Sequence, residues 1–246
     1  MKLALFGDVH DDLSQLARWT ARAAAAGAGA AIQVGDLGFT ADRLDAGRPL
    51  ARLPIPVLAL CGNHEDHAFL GRARASGLAT AWAAQGLIYQ PRGSLVCLDG
   101  CRIGFLGGAL HSDQPQVAVG GNLITSANLA EAQAAFAARP PDLIATHSCP
   151  AGLGLGMSGT DGLAERSAIH IKDAGYDGGP ANDCGEPALT RLWQGLPRRP
   201  ALWIFGHFHV FHQHRIDQTL FLSLPALDHA QGLCLWDTKA ARLEFA

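Results

Sequence analysis

Short apolar runs recur along the chain, and five of them end abruptly in a group of glycine, aspartate, asparagine or histidine. The five runs are residues 3–6, 31–34, 57–60, 143–145 and 202–205. Apolar runs of this length, bounded by turn residues, predict buried β-strands. In α/β proteins the functional sites form just outside the carboxyl ends of such strands, so the pattern favours an α/β fold with a site at one sheet edge.

Helical patterns separate some of these strands. Residues 12–26 carry apolar side chains at helical spacing, and Asp12 followed by Gln15 predicts a capping box at the start of the helix. Residues 128–138 are rich in alanine and predict a second helix. A third helix is predicted to begin near Glu186, which precedes a proline suited to the first helical turn.

Two stretches, 87–106 and 210–245, contain short strands with turn signals between them and predict hairpins rather than βαβ units. Residues 148–185 hold nine glycines and little periodicity, which predicts a cap loop beside the site. The sequence shows no internal repeat and no linker. We therefore expect residues 1–246 to form a single domain, with a pair of β-sheets in the centre and helices outside.

Composition limits the classes of partner. Of 246 residues, 48% are hydrophobic and 17% are charged, which suits a globular protein with a large core. The net charge of −3 and the scattered basic residues argue against a broad nucleic-acid-binding face. No apolar run is long enough to span a membrane, and no secretory leader is visible, so we expect a cytoplasmic protein. The six cysteines form no CxxC pair and are interpreted as reduced core residues. The sequence does not predict the oligomeric state.

Each polar group at a strand end is weak evidence when it is taken alone, because Asp-x-His or Gly-Asp after a strand is more often a simple turn. Together the groups supply carboxylate oxygens, an amide oxygen and imidazole nitrogens from Asp8, His10, Asp36, Asn63, His147, His207 and His209. That set is too large for one tetrahedral zinc ion and suits two ions that share a carboxylate. Two adjacent ions can hold an attacking oxygen and a phosphoryl oxygen together.

Five motifs resemble the five signature blocks of the calcineurin-like metallophosphoesterase superfamily, and they occur in the same order along the chain. They are Asp8-x-His10, Gly35-Asp36, Gly62-Asn63-His64-Glu65, His147 and Gly206-His207-x-His209. The resemblance implies a four-layer α/β/β/α sandwich with two mixed β-sheets flanked by helices. It also implies that Asp8, His10, Asp36 and His209 hold one metal, and that Asp36, Asn63, His147 and His207 hold the other, with Asp36 as the bridge.

The same resemblance implies a catalytic role for His64, which is not a ligand in the family pattern. His64 is expected to face the phosphate, where it stabilises developing charge or protonates the leaving oxygen. The implied reaction is hydrolysis of a phosphate ester by attack of a metal-bridging hydroxide. Manganese, iron and zinc all suit such a pair of divalent ions, and manganese is expected to support activity in vitro.

The substrate class is predicted from the stretch that follows the fourth motif. Residues 146–152 are similar to the corresponding stretch of lariat-debranching enzymes and of some cyclic-nucleotide phosphodiesterase relatives, which favours a phosphodiester such as a nucleotide or small diester. This chain keeps His10, which debranching enzymes tend to lack, so an RNA lariat is not implied. The alternatives are a small-molecule or protein phosphomonoesterase, and a non-catalytic scaffold, although such scaffolds lose ligands and none is missing here.

Four further residues, three of them outside the motifs, are considered for the site. Glu65 is predicted to contact the substrate, and His111 is predicted either to contact the substrate or to have a structural role. His212 and His214 fall on the strand face opposite His209, so we expect them to be solvated rather than ligating.

Overall fold

The computed structural model describes residues 1–45, 50–110, 121–155 and 185–246. Its first sheet contains β1 (Lys2–Phe6), β2 (Ala28–Gln33), β3 (Val57–Ala59), β4 (Leu87–Tyr89), β11 (Cys234–Asp237) and β12 (Arg242–Phe245). These strands lie in the order β12-β11-β1-β2-β3-β4. Strands β1 to β4 run parallel, whereas β11 and β12 are antiparallel to their neighbours.

The second sheet contains β5 (Leu95–Leu98), β6 (Cys101–Leu106), β7 (Leu143–Thr146), β8 (Leu202–Phe205), β9 (His212–Ile216) and β10 (Thr219–Ser223). Their order in the sheet is β5-β6-β7-β8-β10-β9. The four central strands are parallel, and β5 and β9 close the two edges as antiparallel partners. Both sheets are therefore mixed, as predicted.

Helices cover the outer faces of the two sheets. They are α1 (Leu13–Ala25), α2 (Ala41–Leu44), α3 (His67–Ser76), α4 (Leu78–Ala84), α5 (Ser126–Ala138) and α6 (Pro187–Gly195). Helices α1, α3 and α4 pack on the first sheet, and α5 and α6 pack on the second. The inner faces share one core, in which Leu3 and Ile32 of the first sheet pack in the same cluster as Phe105 and Ile204 of the second. This arrangement confirms the predicted α/β/β/α sandwich.

The helix starts follow local capping chemistry. The Asp12 carboxylate accepts a hydrogen bond from the Gln15 N–H at 2.8 Å, which fixes the start of α1. Helix α5 begins two residues earlier than predicted, because Thr125 and Asn128 form a reciprocal capping box. Helix α6 begins at Pro187, as predicted, and proline suits this position because it lacks the amide hydrogen that a first turn leaves unbonded.

The prediction of hairpins across residues 87–106 was wrong for its first strand. Strand β4 pairs parallel to β3 and is reached through the helices α3 and α4, so this part is a βαβ unit. The turn signal at Gly93 connects two different sheets, whereas Asp99 and Gly100 do form the turn of the β5–β6 hairpin. Over residues 210–245 the structure does form two hairpins, β9–β10 and β11–β12.

The described cysteines agree in part with the predicted reduced core residues. All five are free thiols and four are buried, but Cys97 on the edge strand β5 is exposed. None of the described helices is long and apolar enough to cross a membrane.

His111 and most of the predicted cap loop lie outside the described residues. The described ends of that loop are adjacent, because Pro150 and Glu186 form a β-bridge.

Candidate metal centre

The carboxyl ends of five parallel strands meet at one edge of the sandwich. Asp8 and His10 follow β1, Asp36 follows β2, Asn63 and His64 follow β3, His147 follows β7, and His207 and His209 follow β8. Two groups of side chains converge there. Asp8, His10 and His209 form the first cluster, and Asp36, His147 and His207 form the second, with all candidate ligand atoms of a cluster within 4.8 Å of one another.

In the first cluster, the His209 Nε2 atom lies 2.9 Å from the Asp8 Oδ2 atom and 2.8 Å from the His10 Nε2 atom. Asp8 is buried, while the two histidine side chains are 38–39% exposed, so this cluster opens to solvent on its histidine side. Two imidazole nitrogens can face each other at this distance only around a shared proton or a cation. With a carboxylate beside them, the set suits a divalent ion.

In the second cluster, the His147 Nε2 atom lies 3.2 Å from the Asp36 Oδ2 atom and 2.9 Å from the Asn63 Oδ1 atom. Its other ring nitrogen, Nδ1, lies 2.8 Å from the carbonyl oxygen of Val34. Because a carbonyl can only accept, Nδ1 carries the donated proton, and a neutral ring then presents a lone pair at Nε2. A lone pair and two oxygens directed at one another in a buried place fit a metal ion well.

The charges of the second cluster act strongly on its histidines. Burial opposes protonation of His147, but the Asp36 carboxylate prevails and raises the pKa of His147 to about 10. Burial and the adjacent His147 lower the pKa of His207 to about 3, so His207 keeps its lone pair at neutral pH. Burial alone would raise the pKa of Asp36, yet the imidazole of His147 holds it well below its usual range. A metal ion bound here would therefore replace a proton on His147.

Backbone contacts tie the two clusters together. The His207 N–H donates to both oxygens of Asp8, at 3.1 and 3.2 Å, although the two residues belong to different clusters. In the same way the His10 N–H donates to the carbonyl oxygen of Asp36 at 2.8 Å. The two clusters are thus parts of one rigid edge rather than independent sites.

Close approach of the backbone explains the glycines of the motifs. A Cβ atom on Gly62 would lie 2.1 Å from the Asp36 Oδ1 atom, and one on Gly206 would lie 2.1 Å from the Asp8 Oδ1 atom. Both carboxylates would have to move. Backbone strain is concentrated at the same place, because His10, Asp36, His207 and His209 are four of the eight described non-glycine residues with positive φ.

His64 lies beside both clusters but belongs to neither. Its backbone N–H donates to the Asp36 Oδ1 atom at 3.0 Å, and its ring meets the His10 ring edge to face at 5.7 Å between centroids. The side chain is 43% exposed, and its Nε2 atom is 3.9 Å from the Asp36 Oδ2 atom. A half-exposed imidazole at the mouth of the clusters can meet a bound phosphate, which keeps its catalytic role a consistent prediction.

Glu65 is buried beneath the site. Its carboxylate accepts hydrogen bonds from the N–H groups of Leu37, Gly38 and Gly62, which belong to the loops that carry Asp36 and Asn63. Burial, together with the nearby charge of Asp36, raises the pKa of Glu65 to about 8. These contacts favour a positioning role for Glu65 over the predicted contact with substrate.

One positioning residue escaped the sequence analysis. Gln33 ends β2 within an apolar run, is fully buried, and donates from its amide to the carbonyl oxygens of Gly7 and Gly35. Its own oxygen accepts from the Gly35 N–H at 3.2 Å. It thereby holds together the loops that carry Asp8 and Asp36. The signal in the sequence was a single amide in an apolar strand directly before the Gly-Asp motif.

His212 and His214 stay outside the centre. They lie on β9, where their rings stack on each other at 6.4 Å, and neither belongs to the first or the second cluster. His214 is exposed and His212 is half-buried. The solvated strand expected for these two histidines fits this placement.

A four-layer sandwich that gathers carboxylates and imidazoles at the carboxyl ends of both sheets is typical of metal-dependent hydrolases. The chain belongs to the calcineurin-like phosphoesterase family, whose model matches residues 1–211. The matched range includes every residue of the two clusters. Members of the family are phosphoester hydrolases that use divalent metal ions, so the family and the donor set agree.

Comparison with solved structures supports the fold. One crystal structure superposes with a TM-score of 0.64 at 12% identity, over 100% of this chain and 98% of the other. The protein TT1561 of Thermus thermophilus gives a TM-score of 0.55 at 13% identity, over 100% and 97%. A putative 5'-nucleotidase from Staphylococcus aureus gives 0.51 at 12% identity, over 100% of this chain and 52% of that one. No curated protein sequence matches the chain significantly.

Proposed function

We propose that this chain is a binuclear metallophosphodiesterase, which hydrolyses a nucleotide or another small phosphodiester. The observation that carries the proposal is the pair of clusters on one rigid edge, each combining a carboxylate with two imidazoles. A single structural metal would need only one of them. Two sites side by side suit an in-line displacement at phosphorus.

The proposed ligands of the first ion are Asp8, His10, Asp36 and His209, and those of the second are Asp36, Asn63, His147 and His207. Asp36 is the proposed bridge because it contacts residues of both clusters: its Oδ2 atom lies 3.2 Å from the His147 Nε2 atom, and its backbone carbonyl accepts from the His10 N–H at 2.8 Å. When bound, the ions would activate a water for attack and neutralise the phosphoryl oxygens.

The chain's own residues prepare this chemistry. The Val34 carbonyl fixes the orientation of the His147 ring, and Gln33 and Glu65 hold the loops that carry the carboxylates. His64 is the proposed general acid. Its exposed imidazole can donate a proton to the leaving oxygen, which would otherwise depart as an unstable alkoxide.

The diester preference rests on residues 146–152, which resemble the stretch found in phosphodiesterase branches of the family. In the structure this stretch leaves the site directly: Ser148 and Cys149 are fully buried, and the Glu186 N–H donates to the Cys149 carbonyl at 2.7 Å. The segment is therefore fixed next to His147, where it can influence which ester group is accepted.

The test is a metal-dependent assay on the full chain. Protein stripped with a chelator and reloaded with Mn²⁺, Zn²⁺ or Fe²⁺ is given bis-p-nitrophenyl phosphate and p-nitrophenyl phosphate, with bound metal measured by elemental analysis. We expect about two metals per chain and faster turnover of the diester, with Mn²⁺ effective. Faster turnover of the monoester would favour a phosphomonoesterase. Two bound metals without hydrolysis of either ester would favour a non-catalytic scaffold.

A further inference from the structure

A cavity of about 400 Å³ opens beside the first cluster. His209 forms one wall, and the chain after it continues the lining through Val210 and Phe211. We call this cavity the aromatic pocket, and its other main walls are Pro225, Cys234 and Phe245. Its volume lies within the range of about 300–1,000 Å³ that is usual for small-molecule sites.

Two phenylalanines at the pocket are unusually exposed. Phe211 is 45% exposed and Phe245 is 61% exposed, and they are the large hydrophobic residues that stand out as exposed in the described part of the chain. Their rings contact each other edge to face, with centroids 5.7 Å apart at 71°. Single exposed apolar residues are common, but a paired set beside a reactive centre marks a binding surface.

The pair is assembled from distant parts of the fold. Phe211 lies between β8 and β9 of the second sheet, whereas Phe245 lies on β12, the edge strand of the first sheet. Register pairing of Phe245 with Cys234 keeps the Phe245 ring at the pocket. The two edges of the sandwich therefore contribute one ring each.

The chemistry of the lining selects the kind of occupant. Among the described residues that line the pocket there is no lysine, arginine, aspartate or glutamate, so a second phosphate would find no charged partner. At the rim, Gln231 offers an amide and His229 an imidazole for polar atoms of a ring. An apolar, planar group with a few heteroatoms suits these walls best.

We propose that the aromatic pocket binds an aromatic ester group of the substrate while the phosphate lies at the metal centre. This inference rests on the proposed phosphoesterase function. His209 connects the two places, because this residue belongs to the first cluster and also lines the pocket. A phosphate held at that cluster thus places the adjacent ester oxygen at the pocket entrance. A nucleobase and a simple aryl group share the required chemistry.

The test compares the binding of phenylphosphonate and methylphosphonate to the full chain loaded with Mn²⁺, measured by calorimetry. The two probes carry the same anionic group, neither is hydrolysed, and they differ only in the ring. We expect phenylphosphonate to bind about tenfold more tightly than methylphosphonate, the size expected for one ring packed against an aromatic pair. Phe211→Ala and Phe245→Ala should each lower the affinity for phenylphosphonate by about 3- to 10-fold and leave the affinity for methylphosphonate unchanged.

His212→Ala is the matched control, because it removes the next ring along the chain from outside the pocket lining, and it should change neither affinity. Both phenylalanines are exposed, so folding should survive, and Phe211→Leu and Phe245→Leu provide gentler versions of the same test. The proposal is overturned if wild type binds the two phosphonates equally, or if the phenyl-to-methyl ratio is the same in every variant. Failure of the phosphoesterase proposal appears separately, as absent hydrolysis by the wild-type protein.

Discussion

The Nδ1 atom of His147 lies 2.8 Å from the carbonyl oxygen of Val34, so a ring carried by the second sheet donates its proton to the backbone of the first. This bond fixes which nitrogen faces the centre. Nε2 is left near Asp36 and Asn63, where a metal ion or a proton can occupy the space. The ion and the proton therefore compete for the same atom.

That competition predicts a pH dependence of metal binding. Because Asp36 raises the pKa of His147 to about 10, the metal-free site keeps its proton throughout the neutral range and must release it when an ion binds. The apparent affinity for Mn²⁺ should therefore fall as the pH falls, by up to about tenfold per pH unit for each proton displaced. Calorimetry in buffers of different ionisation enthalpy measures this proton release. An affinity that stays constant between about pH 6 and 9 would contradict a competition between ion and proton.

A second prediction concerns the proposed bridge. Asp36→Asn removes the charge that both ions would share, so metal content should fall below two per chain and turnover should fall by about 10²-fold or more. Elemental analysis and a diester assay on the same sample measure both effects. Asp42→Asn, an exposed carboxylate on α2, is the matched control and should leave both unchanged. Full metal content with normal activity in Asp36→Asn would show that Asp36 is not the bridge.

A third prediction separates the two roles considered for Glu65. Glu65→Gln leaves one oxygen to serve three N–H donors, from Leu37, Gly38 and Gly62. A buried donor left without a partner costs about 1–3 kcal/mol, so the free energy of unfolding should drop by about that amount and metal affinity should weaken. Denaturant unfolding measures the loss, with Glu131→Gln on the exposed face of α5 as the control. A substrate contact would instead raise KM and leave stability unchanged.

Much of the fold could be predicted from the sequence because the strands leave local signals. The five apolar runs that end in polar motifs became β1, β2, β3, β7 and β8, and the chain brings their carboxyl ends to one edge. The direction of β4 could not be predicted in this way. Turn residues around Gly93 resemble those of a hairpin, and only the packing of α3 and α4 on the sheet reveals the parallel crossover.

Features formed by residues far apart in the chain also could not be predicted from the sequence. The Val34 carbonyl that orients His147 is a backbone atom, which no side-chain pattern can indicate. Phe211 and Phe245 are 34 positions apart and meet only because the fold brings β12 beside the segment between β8 and β9. Their exposure, which distinguishes them from core residues, is visible only in the structure.

The last prediction separates chemistry from metal binding at His64. Because this residue lies in neither cluster, His64→Ala should keep both metals and change substrate affinity little. Loss of a positioned acid should lower kcat by about 10²- to 10⁴-fold. The loss should be smaller for nitrophenyl esters than for alkyl esters, since a nitrophenolate leaves readily without a proton, whereas an alkoxide does not.

Two control variants distinguish a general acid from a metal ligand in this experiment. His214→Ala removes an exposed imidazole from β9 and should leave kcat unchanged. His147→Ala, in contrast, should lose metal together with activity, which shows how a ligand differs from an acid in the same assay. An equal loss for nitrophenyl and alkyl esters in His64→Ala would reject proton donation and leave only charge stabilisation. Loss of metal from His64→Ala would place the residue among the ligands instead.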